Sequence, residues 1–269
     1  MTEQGFSADR IDTSRPHPAR MYDYFLGGQD NYEVDRQAAE QLLQLGPGVV
    51  ASARGNREFL QRAVRAVAED GIDQFIDIGT GIPTSPNTHE IARSVTPDAR
   101  VVYVDNDPIV ATYAGAKLTN TGKTGFILGD LREPDVLLGH PVLRELVDFG
   151  RPVALLLVAV LHFVRDEEDP AALVAALTER LPAGSRLVLS HATGDLHDDE
   201  DLRKGTEVYR RATASMNLRS RDQVLRLFEG FDVQDPGVVQ VPLWRPDGPV
   251  PEGEKLRQVA LYGAVGVKR

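Results

Sequence analysis

The residues of this chain best suited to chemistry lie in the stretch Phe75-Ile76-Asp77-Ile78-Gly79-Thr80-Gly81, an apolar run with one acid that ends in a glycine-bracketed turn. Such a turn brings backbone N–H groups against a ligand, because glycine reaches conformations that a Cβ disfavours. A second apolar run, Val101-Val102-Tyr103-Val104, ends in Asp105 and Asn106. A strand, a glycine turn and an acid at the tip of the next strand form the ribose-and-backbone grip of a nucleotide-type cofactor site. A dinucleotide fingerprint also needs Gly or Ala three residues after Gly81, where the helix N-terminus meets pyrophosphate. That position is Thr84, flanked by Pro83 and Pro86. The pattern therefore predicts a nucleoside ligand without a pyrophosphate.

Each residue also has a plainer reading. Gly79-Thr80-Gly81 can be no more than a tight β–α connection, Asp105 a capping acid ahead of Pro108, and Asp130 a turn residue. Their joint occurrence at the ends of three successive strands favours a site, since ligands of open α/β sheets lie at those carboxyl ends. His162 follows the fourth apolar run and His191 ends the fifth, so both are candidate general bases. Either one could equally be a satisfied core or loop histidine. The six histidines show no paired ligand spacing and the chain has no cysteine, so no metal is expected.

The elements that must position these groups alternate from Asp73 onward. Expected strands are Phe75–Ile78, Val101–Val104, Gly125–Leu128, Val153–Val160, Arg186–Ser190, Val238–Pro242 and Gln258–Val267. Helical stretches lie between them at Thr88–Ser94, Ile109–Thr119 and Ala171–Leu181, the last with Asp169 as N-cap, Pro170 in its first turn and Gly184 after its end. This predicts an α/β fold: a Rossmann-like, doubly wound, mostly parallel seven-stranded sheet whose last two strands form an antiparallel hairpin at its edge. Ahead of it, residues 1–19 read as an extended arm. Arg20–Leu26, Tyr32–Leu45 and Arg57–Glu69 read as helices, with stops at Gly27-Gly28, Gly46-Pro47-Gly48 and Gly71. The expected division is 1–70 for arm and helical cap, and 71–269 for the α/β domain. The acidic run Asp195–Asp201, followed by Arg203, Lys204, Arg210 and Arg211, is either a substrate-side lid or a solvated helix with self-pairing charges.

Composition narrows the function classes. A net charge of −10 opposes general affinity for nucleic acid or anionic membrane. The longest apolar run, Val153–Leu161, is too short to span a bilayer, and the first twenty residues lack the apolar centre of a secretion signal. Absence of cysteine fits a reducing compartment. The expectation is a cytoplasmic protein acting on a small molecule.

The sheet with its terminal hairpin and the Asp77-Ile78-Gly79-Thr80-Gly81 turn resembles the class I S-adenosylmethionine-dependent methyltransferases. More locally, the segment from Ser14 to Tyr32 (SRPHPARMYDYFLGGQDNY), with Phe75–Asn87 and Leu161-His162-Phe163, resembles an actinobacterial family of S-adenosyl methyltransferases long catalogued as a domain of unknown function. The resemblance covers essentially the whole chain and implies S-adenosylmethionine as cofactor, S-adenosylhomocysteine as product and an unspecified acceptor. It implies that Gly79 and Gly81, with Thr80 as spacer, approach the methionine part. Asp77 would hold the turn or reach the methionine amine, Asp105 with Asn106 would take the ribose, and Asp130 the adenine amino group with Leu131 on the ring. Ala159 would face the reacting centre. Tyr22, Tyr24 and Asn31 would close over the cofactor, or else simply pack the helical segment; Arg57 would hold the methionine carboxylate, or form a surface ion pair. Ala159-Val160-Leu161-His162 stands where amino methylases of nucleic-acid bases carry Asp/Asn-Pro-Pro-Tyr/Phe, which argues against that chemistry. Two other classes stay open at this point: a cofactor-binding regulator without transfer activity, and a nicotinamide oxidoreductase, against which Thr84 and its flanking prolines speak.

Overall fold

A computed structural model describes residues 12–46, 48–118, 122–196 and 199–269. Residues 1–11 of the expected arm, Pro47 of the expected stop, Thr119 at an expected helix end and His197 and Asp198 in the acidic run lie outside the described residues.

The chain enters through α1 (Pro18–Phe25), α2 (Glu33–Leu45) and α3 (Gly48–Glu69). Alternation follows: β1 (Gln74–Ile78), α4 (Thr88–Val95), β2 (Arg100–Asp105), α5 (Pro108–Lys117), β3 (Thr124–Leu128), α6 (Pro134–Leu138), α7 (Pro141–Leu146), β4 (Ala154–Val158), α8 (Pro170–Thr178) and β5 (Arg186–Ala192). The last part holds α9 (Asp199–Arg210), α10 (Arg221–Arg226), β6 (Phe231–Val233), β7 (Val239–Gln240), α11 (Gly253–Arg257) and β8 (Leu261–Lys268). The strand order is β3-β2-β1-β4-β5-β8-β6, parallel through β5, with β8 antiparallel to both of its neighbours. This is the Rossmann-like methyltransferase fold. Because the chain winds outward from β1 to β3 and then returns to β4, a crevice opens at the carboxyl ends of β1 and β4.

Strand parity explains the two cores. Ile76, Val102, Val104, Leu155, Leu157, Leu187 and Leu189 face a layer that includes Leu137, Leu143, Val174 and Phe228. Their neighbours Phe75, Val101, Tyr103, Ala154, Leu156 and Val188 face Phe59, Leu60, Val64 and Ile91 on the other side. Both faces are buried, so these strands read as continuous apolar runs. The helix α3 belongs to this packing, and its first turns, through Val49 and Ala53, also join α1 and α2 in a third cluster.

The closing hairpin differs from expectation in its partner strand. The seventh strand in the path is the short run Phe231–Val233, which pairs with β8 at the edge. The expected strand Val238–Pro242 contributes only two residues, β7, before Val241–Leu243 winds into a 3₁₀ turn around Pro242, which has no N–H for a ladder. Asp169 caps α8 as expected, its side chain accepting from Ala172 N–H at 3.1 Å.

The cap is built around two buried acids. Asp35 accepts from the backbone N–H of His17 at 2.8 Å and of Tyr32 at 2.9 Å, and lies 3.4 Å from the Arg20 guanidinium, with both Asp35 and Arg20 buried. Asp23 accepts from Asp30 N–H and from Asn31 Nδ2, which coils the Gly27–Asn31 loop around its carboxylate. Gly28 lies so close that a Cβ there would overlap the Asp23 carboxylate. Replacing Asp35 by Ala leaves the Arg20 charge buried without that partner. The expected cost is about 3–5 kcal/mol in urea unfolding, with faster hydrogen exchange across Pro18–Leu45; unchanged exchange there would remove Asp35 from this role.

Candidate functional site

The strand tips open into one cavity of about 1090 Å³, walled by the cap, α9 and the segment 213–218. Its floor is the turn after β1. Gly79 and Thr80 N–H both donate to Val104 O, at 2.8 and 3.2 Å, and Gly81 N–H donates to Asp105 Oδ2 at 2.8 Å. Gly79 and Gly81 have φ of +75° and +66°, a region that disfavours any side chain. They do different jobs. A Cβ on Gly79 would come 2.4 Å from the Val160 side chain, whereas Gly81 faces open space. Gly79 thus lets the segment after β4 close on the turn, and Gly81 leaves room for a ligand.

Asp105 is buried at the cavity edge. Its Oδ1 accepts from Asp107 N–H at 2.9 Å, and burial raises its pKa to about 6. Asp107 in turn caps α5 through Ile109 N–H, again at 2.9 Å. His17 Nδ1 lies 3.0 Å from Asp107 Oδ2 and also accepts from Ala19 N–H at 3.3 Å. One nitrogen cannot serve both. Burial holds the ring below its usual pKa, and Asp107 also lies 3.7 Å from Arg20 Nε, so the neutral imidazole and the guanidinium flank the same carboxylate. Asp77 shares the sheet face of Asp105; Thr88 Oγ1 donates to it at 2.6 Å, and burial raises its pKa. Across the crevice, Asp130 is gripped by Arg132 at 3.1 Å and takes a longer bond from Asn106 Nδ2 at 3.2 Å. Leu131 is buried beside it. Ala159 sits at φ +55°, its N–H held by Ser190 Oγ at 3.0 Å. Ser190 Oγ donates to Asn56 Oδ1 at 2.5 Å, Asn56 Nδ2 to Tyr22 Oη at 3.0 Å, and Tyr22 Oη to Ala53 O at 2.9 Å. This chain of donors ties the tip of β4 to the cap.

The structure therefore brings Asp77, Gly79, Thr80, Gly81, Asp105, Asn106, Asp130, Leu131, Ala159, Tyr22, Arg57 and His162 to the cavity wall. Tyr24, Asn31 and His191 are not part of that wall. Tyr24 donates to Glu40, and Asn31 holds Asp23 inside the cap. Arg57 makes no ion pair among the described residues; its guanidinium clamps the loop carbonyls of Thr84 and Pro86. His191 is fully buried with both ring nitrogens engaged. Arg219 is donor-only, so Nε2 accepts from it at 2.8 Å and Nδ1–H donates to Ala192 O at 2.7 Å. Burial pushes its pKa down to about 4. Asn56, Ser190 and Arg132 escaped the sequence reading, because their partners lie far away in the chain: Ser190 and Tyr22 for Asn56, and Glu168 for Arg132. The helix of the acidic-basic segment has features of both readings: Glu207 pairs with Arg210 and Arg211 on its exposed face, while α9 packs on α2 and contributes Gly205, Thr206 and Tyr209 to the cavity wall.

Comparisons with known proteins agree with this geometry. A family model described as S-adenosyl methyltransferase matches residues 4–269. A DUF574 family protein from Streptomyces avermitilis MA-4680 is 43% identical, with a TM-score of 0.93 over 97% of this chain and 100% of that one. A protein from Thermobifida fusca YX is 39% identical, with a TM-score of 0.90 over 96% of this chain and 97% of its own. Human N-acetylserotonin methyltransferase, solved in complex with SAM, shares the fold at 14% identity and a TM-score of 0.50, over 95% of this chain and 63% of that one. No match is found among curated proteins. No helix among the described residues is long and apolar enough to cross a membrane. With its cofactor-type crevice at the tips of β1, β2 and β4, the chain belongs to the S-adenosyl methyltransferase family, whose cofactor is S-adenosylmethionine.

Proposed function

We propose that this protein transfers the methyl group of S-adenosylmethionine to a small-molecule acceptor in the cytoplasm of an actinobacterium. The observation that carries the reading is Asp105, a buried acid fixed by Gly81 N–H and Asp107 N–H at the tip of β2, with lone pairs left for ligand hydroxyls. The cavity also exceeds the range of about 300–1,000 Å³ usual for one drug-sized ligand, which leaves room for an acceptor beside a nucleoside.

The residues present fit the cofactor. Asp105 would take the ribose hydroxyls and Asn106 stands beside it. Asp77 has a carboxylate oxygen beyond its bond to Thr88 for the methionine amine, and the open face of Gly81 admits the methionine chain. Arg57 lies near the methionine end, and Leu131 and Asp130 frame the adenine, Asp130 shared with Arg132. When bound, the cofactor supplies a methyl group already activated on a sulfonium. The protein's part is alignment and exclusion of water. Ala159 is locked through Ser190 and Asn56 to Tyr22, so the tip of β4 and the cap move together. The division into a cap before β1 and an α/β unit after it serves this purpose, with α1 and α2 closing over the crevice. The source in actinobacteria rests on the Streptomyces and Thermobifida relatives.

Calorimetry with S-adenosylhomocysteine tests the assignment. Asp105→Ala should weaken binding about 10- to 100-fold, the worth of hydrogen bonds to a charged group, while NAD should not bind the wild type. Affinity should also depend on pH. A carboxyl whose folded pKa is raised to about 6 is protonated below that value, and a protonated Asp105 no longer accepts from both ribose hydroxyls. Binding should thus be about tenfold weaker at pH 5 than at pH 8. The same group contributes stability below the unfolded value of 3.8, lost as pH rises through about 6. Equal affinity at both pH values, or in the mutant, would reject Asp105 as the ribose acid.

The two turn glycines should separate cleanly. Gly79→Ala should cost about 2–4 kcal/mol of stability, from left-handed strain and overlap with Val160. Gly81→Ala should cost about 1–2 kcal/mol yet lose more S-adenosylhomocysteine affinity per unit of stability lost. Thermal unfolding with calorimetry on both variants measures this, and identical profiles would refute it.

A further inference from the structure

The half of the cavity away from Asp105 has a different chemistry. Its wall is carried by Leu42, Leu45, Val49, Phe163, Tyr209 and Met216, with the neutral polar groups of Ser52, Thr206, Thr213 and Ser215 between them, supplied by α2, α3, the 3₁₀ turn Leu161–Phe163, α9 and the segment after it. Phe163 lies 6.0 Å from the Tyr209 ring with an interplanar angle of 49°, and 4.3 Å from the His162 ring, edge-on. One imidazole enters this aromatic slot. Ala192 N–H donates to His162 Nδ1 at 3.4 Å, so the neutral ring carries its proton on Nε2. His162 borders the cavity, and its Nε2 makes no hydrogen bond among the described residues, which leaves that N–H for a molecule in the cavity.

Behind the ring lies a permanent cation. Arg219 is buried and donates to Leu161 O, Val164 O, His191 Nε2 and Asp166. Burial first, then His191 and Arg219, hold the His162 pKa well below the usual value. A neutral imidazole already protonated at its open nitrogen gives a hydrogen bond; it does not remove a proton there.

We infer that the apolar pouch is the acceptor subsite, that it takes an uncharged ring-bearing molecule, and that His162 holds this molecule by donating from Nε2–H to an oxygen or nitrogen lone pair. This inference rests on the methyltransferase reading, which it deepens. The acceptor then offers a nucleophilic atom that is unprotonated, or whose proton passes to solvent, and His162 positions it without acting as the base.

The test uses the whole protein. Coumarin, an uncharged bicyclic lactone, is titrated into it with and without saturating S-adenosylhomocysteine, and naphthalene serves as the analogue without an accepting oxygen. Coumarin should bind in both conditions. His162→Leu should weaken coumarin about two- to tenfold, the worth of one neutral hydrogen bond, and leave naphthalene unchanged, while His162→Gln should restore part of the loss. Failure of coumarin to bind, its displacement by S-adenosylhomocysteine, or equal binding to His162→Leu would overturn the proposal. Failure of S-adenosylhomocysteine alone would count against the methyltransferase reading and not against the pouch. Nitrogen-15 spectra of histidine-labelled wild type give a readout independent of any variant's folding. His162 should show a protonated Nε2 from pH 8 down to pH 5, and a proton on Nδ1 would overturn the assignment.

Discussion

The structure hangs on the carboxylate of Asp105. Its two oxygens take N–H groups from Gly81 and Asp107, which stitches the turn after β1 to the tip of β2 and to the start of α5. Asp107 then caps α5 and faces Arg20, whose charge is shared with Asp35 in the cap. One line of acids and donors therefore runs from the sheet to the first helices. Desolvation of these acids opposes folding, and the raised pKa of Asp105 is its signature. Such a group persists because backbone donors replace the lost water. It is also ready for a ligand, since its position is set before any ligand arrives.

The two halves of the cavity follow from where their walls come from. The half around Asp105 is made of strand tips and the turns beyond them, which hydrogen bonding across the sheet holds in register. Acids and glycines can therefore be placed there to within a fraction of an ångström. The other half is made of helices and a connecting segment, held by side-chain packing among Met21, Phe25, Leu42 and Tyr209. Packing of that kind specifies shape and polarity more than particular atoms. Strand tips that place single atoms therefore stand beside a wall that sets only shape and polarity.

How much of this was legible in the sequence depends on the range of the interaction. Five parallel strands, the Gly79–Gly81 turn, Asp105 and the Asp169 cap were readable, because strand runs, turns and caps are local signals. The edge strand Phe231–Val233 was not, since three residues with one exposed acid do not stand out from a loop, while Val238–Pro242 looks more strand-like and then turns at Pro242. The fates of Asn31, Tyr24 and Arg57 depended on partners such as Asp23, Glu40 and the Thr84 carbonyl. Those contacts form only once the cap folds back on itself and on the sheet. Side-chain type predicted that Asn31 would bind something; only the three-dimensional arrangement shows that it binds Asp23.

The two histidines carry the same lesson into chemistry. As residue types at strand ends, both look like bases. Their protonation is decided by what approaches each nitrogen: a backbone N–H on His162 Nδ1, and on His191 a guanidinium at one nitrogen and a carbonyl at the other. A guanidinium cannot accept a hydrogen bond, so it dictates the tautomer of any imidazole that it touches. Arg219 thus converts His191 into a structural strut and adds a positive charge that disfavours protonation of His162. Methyl transfer from a sulfonium tolerates this, because the leaving group is already activated and the main barrier is alignment in a site from which water is excluded. Fixing the line from cap to strand tip through Tyr22, Asn56, Ser190 and Ala159 addresses that barrier directly, and a proton acceptor at the same place would add nothing to it for a nucleophile that arrives with its lone pair free.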